Sequence, residues 1–238
     1  MKKEKLTVLR WYDIGALTFI LFAYAIYTST AFLISFMVQP EISGNVMPVK
    51  NASDFSDYDN YFTLLLQLIF LLLGFIYLKF RKFDFKTWPV KFSIKAFIWG
   101  VLFFLIISLC MDIYNLLVYY IPYLVFPGVF MQVISGIKFS TVLYAVLNGF
   151  YEEIFFLGIC TSVQTKYKKW AFLYSLIVRI SFHTYNGIYT AIGLGLILGI
   201  LFYFLYEKTN PKNLLPFFIA HAIADILGLS VIGYFYYA

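Results

Sequence analysis

Two adjacent carboxylates, Glu152 and Glu153, stand in the middle of "YEEIFFLG", within one of the most apolar stretches of the chain. Further along, Arg179 and His183 are spaced i, i+4, and His221 and Asp225 repeat that spacing. Residues four apart share one face of a helix, so each pair can be aimed at a common site. The adjacent glutamates point about 100° apart on a helix, so one can face the site while the other pairs with a neighbouring helix. A carboxylate held beside an imidazole in a low-dielectric cavity is a competent activator of water. A second imidazole with a neighbouring side-chain donor can stabilise the oxyanion of a tetrahedral intermediate. Together these groups suit hydrolysis of a peptide bond. No G-x-S-x-G element is present, and neither Cys110 nor Cys160 neighbours a histidine, so serine and cysteine nucleophiles have no motif here. Glutamate with two histidines could instead hold zinc. Without an H-E-x-x-H element that is the weaker reading, and no cofactor is expected.

These groups have to be positioned by membrane helices. The chain has 238 residues, of which 62% are hydrophobic and 22% aromatic, and its mean hydropathy is +0.83. A soluble domain cannot hide that much apolar surface. Crossing ~30 Å of hydrocarbon takes ~20 helical residues, and that length predicts about seven spans: 12–38, 61–79, 94–121, 139–163, 170–186, 188–206 and 215–236. The expectation is an all-α, polytopic bundle forming one membrane-embedded domain over 1–238, a multi-pass protein of the cell membrane. The apolar run after "MKKEK" is too long for a signal peptide and no small-residue cleavage site follows it, so it reads as a retained helix.

Charge tests the topology independently. Lys2, Lys3, Lys5 and Arg10 precede the first span; Lys79, Arg81, Lys82, Lys86, Lys91 and Lys95 follow the second. Lys166, Lys168 and Lys169 precede the fifth, and Lys208 and Lys212 follow the sixth. If seven spans alternate, all of these lie on one side. The opposite loops hold Lys50 and Lys138 with the acidic Glu41, Asp54, Asp57 and Asp59. The positive-inside rule then places the N-terminus in the cytoplasm. The net charge of +6 is thus a topology signal, and no nucleic-acid partner is implied.

Each ionised group at membrane depth costs roughly 2.5–3.5 kcal/mol on insertion scales, so Glu152, Glu153, Arg179, His183, His221 and Asp225 are expected to face one another inside the bundle. Glu153 with Arg179 also reads as a structural ion pair, and Asp225 as a residue that orients His221. Asp13 and Asp112 fall near span ends, where interfacial solvation would suffice. Tyr185 reads as packing. Gly195 and Gly199 place small residues on one helix face, favouring close packing. A buried Glu/His/Asp chain also suits a proton-coupled transporter, although the unequal spans lack the inverted repeats of that class.

The "EE" pair, "RISFHTYNG" and "LLPFFIAHAIADILG" resemble the CAAX protease and bacteriocin-processing (CPBP, or Abi) family of intramembrane endopeptidases over about residues 140–230. The family pattern is E-E-x-x-x-R, then F-x-x-x-H, then H-x-x-x-N/D. The resemblance implies that Glu152 is the general base, that His183 helps to position water, and that His221 with Asp225 forms the oxyanion site. It makes Glu153 a supporting group. Two positions depart: Leu157 stands where the pattern has arginine, and Arg179 where it has phenylalanine. An arginine missing from one helix therefore reappears on the next, as a charge partner for Glu153. The implied activity is cleavage of a membrane-associated or lipidated peptide from the cytoplasmic half of the bilayer. The rival within the same resemblance is a non-catalytic self-immunity or sensor-kinase accessory protein that binds a partner in the cavity.

Overall fold

Backbone amides inside a bilayer have no water to bond, so an apolar chain must close its hydrogen bonds within helices. The computed structural model describes residues 5–38, 55–119 and 136–232, and its principal elements are all helical. They are α1 (Trp11–Val38), α2 (Asp57–Phe80), α3 (Ile94–Tyr119), α4 (Phe139–Glu153), α5 (Lys168–His183), α6 (Ile188–Lys208) and α7 (Leu215–Leu227). Among the described residues there is no β-sheet, only two isolated bridges, Leu6 with Phe83 and Leu9 with Val163.

Each of the seven predicted segments falls on one of these helices, but five are long and apolar enough to cross a membrane on those grounds alone: α1, α2, α3, α4 with its extension to Ile159, and α6. Of the remaining two, α5 has 16 residues and begins with two lysines, and α7 has 13 and stops at Gly228. The predicted ends at 120–121 and 233–236 lie outside the described residues, as do Lys2, Lys3, Glu41, Lys50 and Asp54.

Two helices are locally widened. After Glu153, α4 continues as π-helical turns over Ile154–Ile159, closed by Cys160 N–H donating to the Phe155 carbonyl at 2.9 Å. A similar segment, Gly193–Leu198, interrupts α6. Such bulges concentrate at functional sites because they re-aim side chains within a helix. Here the first begins directly after the paired glutamates.

The basic loops are physically joined at one end of the bundle. Leu6 N–H donates to the Lys82 carbonyl at 3.0 Å, Leu9 N–H to Ser162 at 2.6 Å and Leu214 N–H to Pro89 at 2.8 Å, while Lys5 pairs with Asp84 at 3.5 Å. At the other end Lys138 donates to the Phe55 carbonyl at 2.9 Å, Asn60 to Ser140 at 3.1 Å, and Ser29 meets Thr184 at 2.9 Å. Asp13 and Asp112 are both buried rather than solvated at the interface. Asp13 accepts from Arg81 Nε at 2.6 Å and Tyr77 at 2.7 Å. Asp112 accepts from the Ser230 hydroxyl at 2.6 Å and from the backbone amides of Val231 and Ile232 at 2.8 and 2.9 Å. Fixed donors take the place of water in each case.

Helix α7 lies against both α3 and α4. Its approach to α4 depends on Gly149, where an added Cβ would stand 2.6 Å from the Phe218 carbonyl oxygen and 3.0 Å from Ala222 N. Gly195 plays the same part between α6 and α5, with a Cβ 3.0 Å from Ile180 N, which is the close packing read from the glycine spacing. Gly149→Ala is expected to destabilise the protein by about 1–3 kcal/mol, the usual range for overpacking, because backbone atoms have no rotamer to escape into. At Gly74 the same substitution meets leucine side chains at ordinary contact distance, Leu21 Cδ2 at 3.4 Å and Leu17 Cδ2 at 3.7 Å, and should be nearly neutral. Melting curves of the two variants in detergent check the contrast.

Candidate active site

Glu152 and Glu153 end the α-helical part of α4, and both are buried, at 4% and 0% exposure. The 100° between them sends them to different partners, as their adjacency predicts. Glu153 is enclosed: Arg179 Nη2 donates to its two carboxylate oxygens at 2.9 and 3.1 Å, and His221 Nδ1 donates to Oε1 at 2.7 Å. Arg179 is itself 2% exposed and stacks its guanidinium over Phe156 at 3.9 Å, a cation–π contact that helps hold a charge away from water. The ion pair that the departures at Leu157 and Arg179 suggested is therefore formed. Glu153 does more than balance charge, because it also sets the ring of His221.

Glu152 is held on one side only. Its Oε1 accepts from Asn148 Nδ2 at 3.1 Å. Its Oε2 has no hydrogen-bond partner among the described residues and lies 3.6 Å from both His221 Nε2 and Arg179 Nη1. Arg179 Nη1 is unpartnered too. Asp225, one turn beyond His221 on α7, approaches His221 Nε2 at 3.6 Å and accepts from Asn148 Nδ2 at 2.8 Å. His183 donates from Nδ1 to the Arg179 carbonyl at 2.8 Å, which leaves Nε2 as its remaining polar atom.

Glu152, Arg179, His183, His221 and Asp225 all line one cavity of about 660 Å³. Five of the six sequence-derived residues form a continuous set of contacts. His183 joins them through the cavity wall and the Arg179 backbone, and Glu153 stands behind the wall.

Two residues of the network carry no motif. Asn148 uses both amide hydrogens to clamp Glu152 and Asp225, and its Oδ1 accepts from Gln67 Nε2 at 2.6 Å. Asn148 sits four residues before Glu152, the same i, i+4 relation that marks the other pairs, so it was readable. Gln67 is a lone amide on α2 with no such relation. Tyr185, expected as packing, also forms part of the cavity wall.

The cavity occupies the half of the bundle away from the basic loops, and not the half beside them. Phe32, Asn60, Asn115, Tyr144 and Asn186 of its lining all lie in the parts of their helices farthest from that end. On the basic side the site is closed by a ring cluster in which Phe22 packs against Phe155 at 4.8 Å, Phe156 at 5.5 Å and Phe182 at 4.9 Å. These bulky aromatics, just beyond Glu153, separate the cavity from the basic end.

Residues 134–227 match the family model of the type II CAAX prenyl endopeptidase Rce1-like proteins. This segment is similar to the Rce1-like family. The match covers all six site residues and helices α4 to α7, and it agrees with the resemblance read from the motifs. No curated protein and no solved structure gave a match. Within the Rce1-like segment, one ligand atom from each of Glu152, Glu153 and His221 lies within 4.8 Å of the others, close enough to share a metal ion. Arg179 sits against the same carboxylates, so a divalent cation there would face a guanidinium at contact distance, and His221 Nδ1 is already committed to Glu153. That donor set fits a metal poorly.

Proposed function

We propose that the protein is an intramembrane endopeptidase in which Glu152 activates water to hydrolyse a peptide bond of a membrane-associated or lipidated substrate. The observation that carries this reading is Glu152 Oε2: a buried carboxylate oxygen on the cavity wall, unpartnered, facing His221 Nε2 and the equally unpartnered Arg179 Nη1. Buried polar atoms are almost always bonded, and unpaired ones converging on a cavity suit a ligand that supplies the missing partner.

In this mechanism Glu152 takes a proton from water, and the oxygen attacks the scissile carbonyl carbon. His221, with Nδ1–H bound to Glu153 and its protonated Nε2 beside Asp225, donates to the developing oxyanion. Asp225 acts on the oxyanion through His221, and Asn148 keeps the two cavity carboxylates apart. Collapse of the tetrahedral intermediate breaks the C–N bond, and Glu152 returns the proton to the leaving amine. His183, on the same wall, assists in placing the water. The reading is tested by incubating purified protein with membrane-associated peptides, comparing wild type with Glu152→Gln. Equal cleavage by the two would remove Glu152 from the chemistry. Grouping of the ionisable residues at one cavity, closed behind by aromatic rings, favours this reading over a proton relay, which needs polar groups along a path across the bilayer.

The reaction as written uses no metal. Elemental analysis of protein purified without chelators is expected to find zinc well below one equivalent. Stoichiometric zinc that disappears in His221→Ala would replace glutamate-activated water with a metalloprotease mechanism.

A further inference from the structure

The position of the cavity bears on where its substrate comes from. Of the basic residues in the described part of the chain, all but Lys138 and Arg179 belong to loops or helix ends at one end of the bundle. The hydrogen bonds from Leu6 to Lys82, Leu9 to Ser162 and Leu214 to Pro89 tie those loops together. Basic loops are retained in the cytoplasm. The cavity extends from mid-depth to the opposite end, and the aromatic cluster around Phe22 closes it toward the basic side. We infer that the site is loaded from the non-cytoplasmic side of the membrane, so its substrate is an exported or outer-leaflet peptide and not a cytoplasmic one.

The lining has the chemistry of a surface for peptide main chain. Beyond the catalytic groups, its polar members include Asn60, Thr63, Gln67, Asn115, Tyr144 and Asn186, all neutral. The side-chain carbonyl oxygens of Gln67 and Asn186 are buried and have no hydrogen-bond partner among the described residues, and both residues line the cavity. For Gln67 the orientation follows from its Nε2, which donates to Asn148 Oδ1 at 2.6 Å. Two amide acceptors on residues of the same cavity wall as the glutamate suit the N–H groups of an extended peptide. Asn148, bound to Gln67, relays that contact to Glu152. Apolar walls from Phe22, Phe32, Phe70 and Phe182 suit hydrophobic side chains or an attached lipid. The word substrate rests on the protease reading, but the direction of loading does not.

The test uses thiol accessibility of the full-length chain in intact cells, with a membrane-impermeant maleimide. Cysteine is placed on the cavity wall (Thr63→Cys, Asn115→Cys) and at the basic end (Lys169→Cys). The wild-type chain, with its two free cysteines, is the blank. Thr63→Cys and Asn115→Cys are expected to label in intact cells, and Lys169→Cys only after permeabilisation. Labelling of Lys169→Cys in intact cells would overturn the inference. So would labelling of both wall positions only after permeabilisation, or in neither condition. Adding Glu152→Gln to the wall variants should stop cleavage without changing the labelling, so a failure of the chemistry and a failure of the loading direction register separately.

Discussion

Replacing Glu152 by glutamine is expected to lower peptide cleavage by about 10²–10⁴-fold, the usual contribution of general base catalysis, while the melting temperature holds. The amide keeps the acceptor that Asn148 Nδ2 now uses at 3.1 Å. The oxygen it loses is the unpartnered Oε2, so no folded-state hydrogen bond is broken. The attraction of Oε2 to Arg179 and His221, each 3.6 Å away, is lost, but relief of the repulsion from Glu153 and Asp225 offsets part of that loss, and Arg179 keeps its closer pair with Glu153. The measurement pairs a cleavage assay with thermal melting of the same preparation. A glutamine variant that cleaves normally, or that fails to fold, contradicts the role assigned to Glu152.

The neighbouring glutamate should behave differently. Glu153→Gln removes the counter-charge of a 2%-exposed arginine, and breaking a buried pair costs about 3–5 kcal/mol. It also weakens the acceptor for His221 Nδ1, now 2.7 Å away. Stability and activity are therefore both expected to fall, the latter because Arg179 is left with Glu152 as its nearest carboxylate, at 3.6 Å. A base drawn into an ion pair is a poorer base. Arg179→Leu should be similarly destabilising, since it leaves Glu153 buried with only His221. Combining Glu153→Gln with Arg179→Leu removes both charges together, and the double variant should be more stable than the sum of the singles by roughly 0.5–3 kcal/mol, the range for residues in direct contact. Cleavage should not return with stability, because the imidazole has lost its charged partner. Additive melting shifts across the four proteins would show that the pair is not coupled. Loss of activity alone in Glu153→Gln would show that Glu153 does not serve the fold.

The contrast between adjacent residues explains what was legible in advance and what was not. Alternating basic loops, apolar runs of spanning length and the i, i+4 pairs are local features, and each restricts the structure without knowledge of the neighbours. Asn148 obeyed the same spacing rule and went unread because a neutral amide in an apolar helix carries no charge to draw attention. Gln67 could not have been found this way, since its only relation to the site is a contact between α2 and α4. Seven segments were expected to span on hydropathy, yet α5 and α7 are short. They carry Arg179, His183, His221 and Asp225, and a helix that spends its face on polar side chains has less apolar sequence with which to declare itself.

The sequence by itself determined that this is a helical membrane protein, that its basic loops gather at one end, and that two carboxylates, an arginine, two histidines and an aspartate are available for one site. Those conclusions rest on the length of hydrocarbon a helix must cross and on the cost of isolated charge within it, both independent of tertiary detail. Only the tertiary structure decided that Glu153 also holds the ring of His221, that Asn148 ties Glu152 to Asp225, and that the cavity lies away from the basic loops. Helix rotation and depth are set by packing. The backbone of α7 reaches α4 at Gly149, Arg179 settles on the face of Phe156, and the rings around Phe22 fill the basic side of the site. Each of those contacts joins residues on different helices, and spacing along the chain carries no record of them.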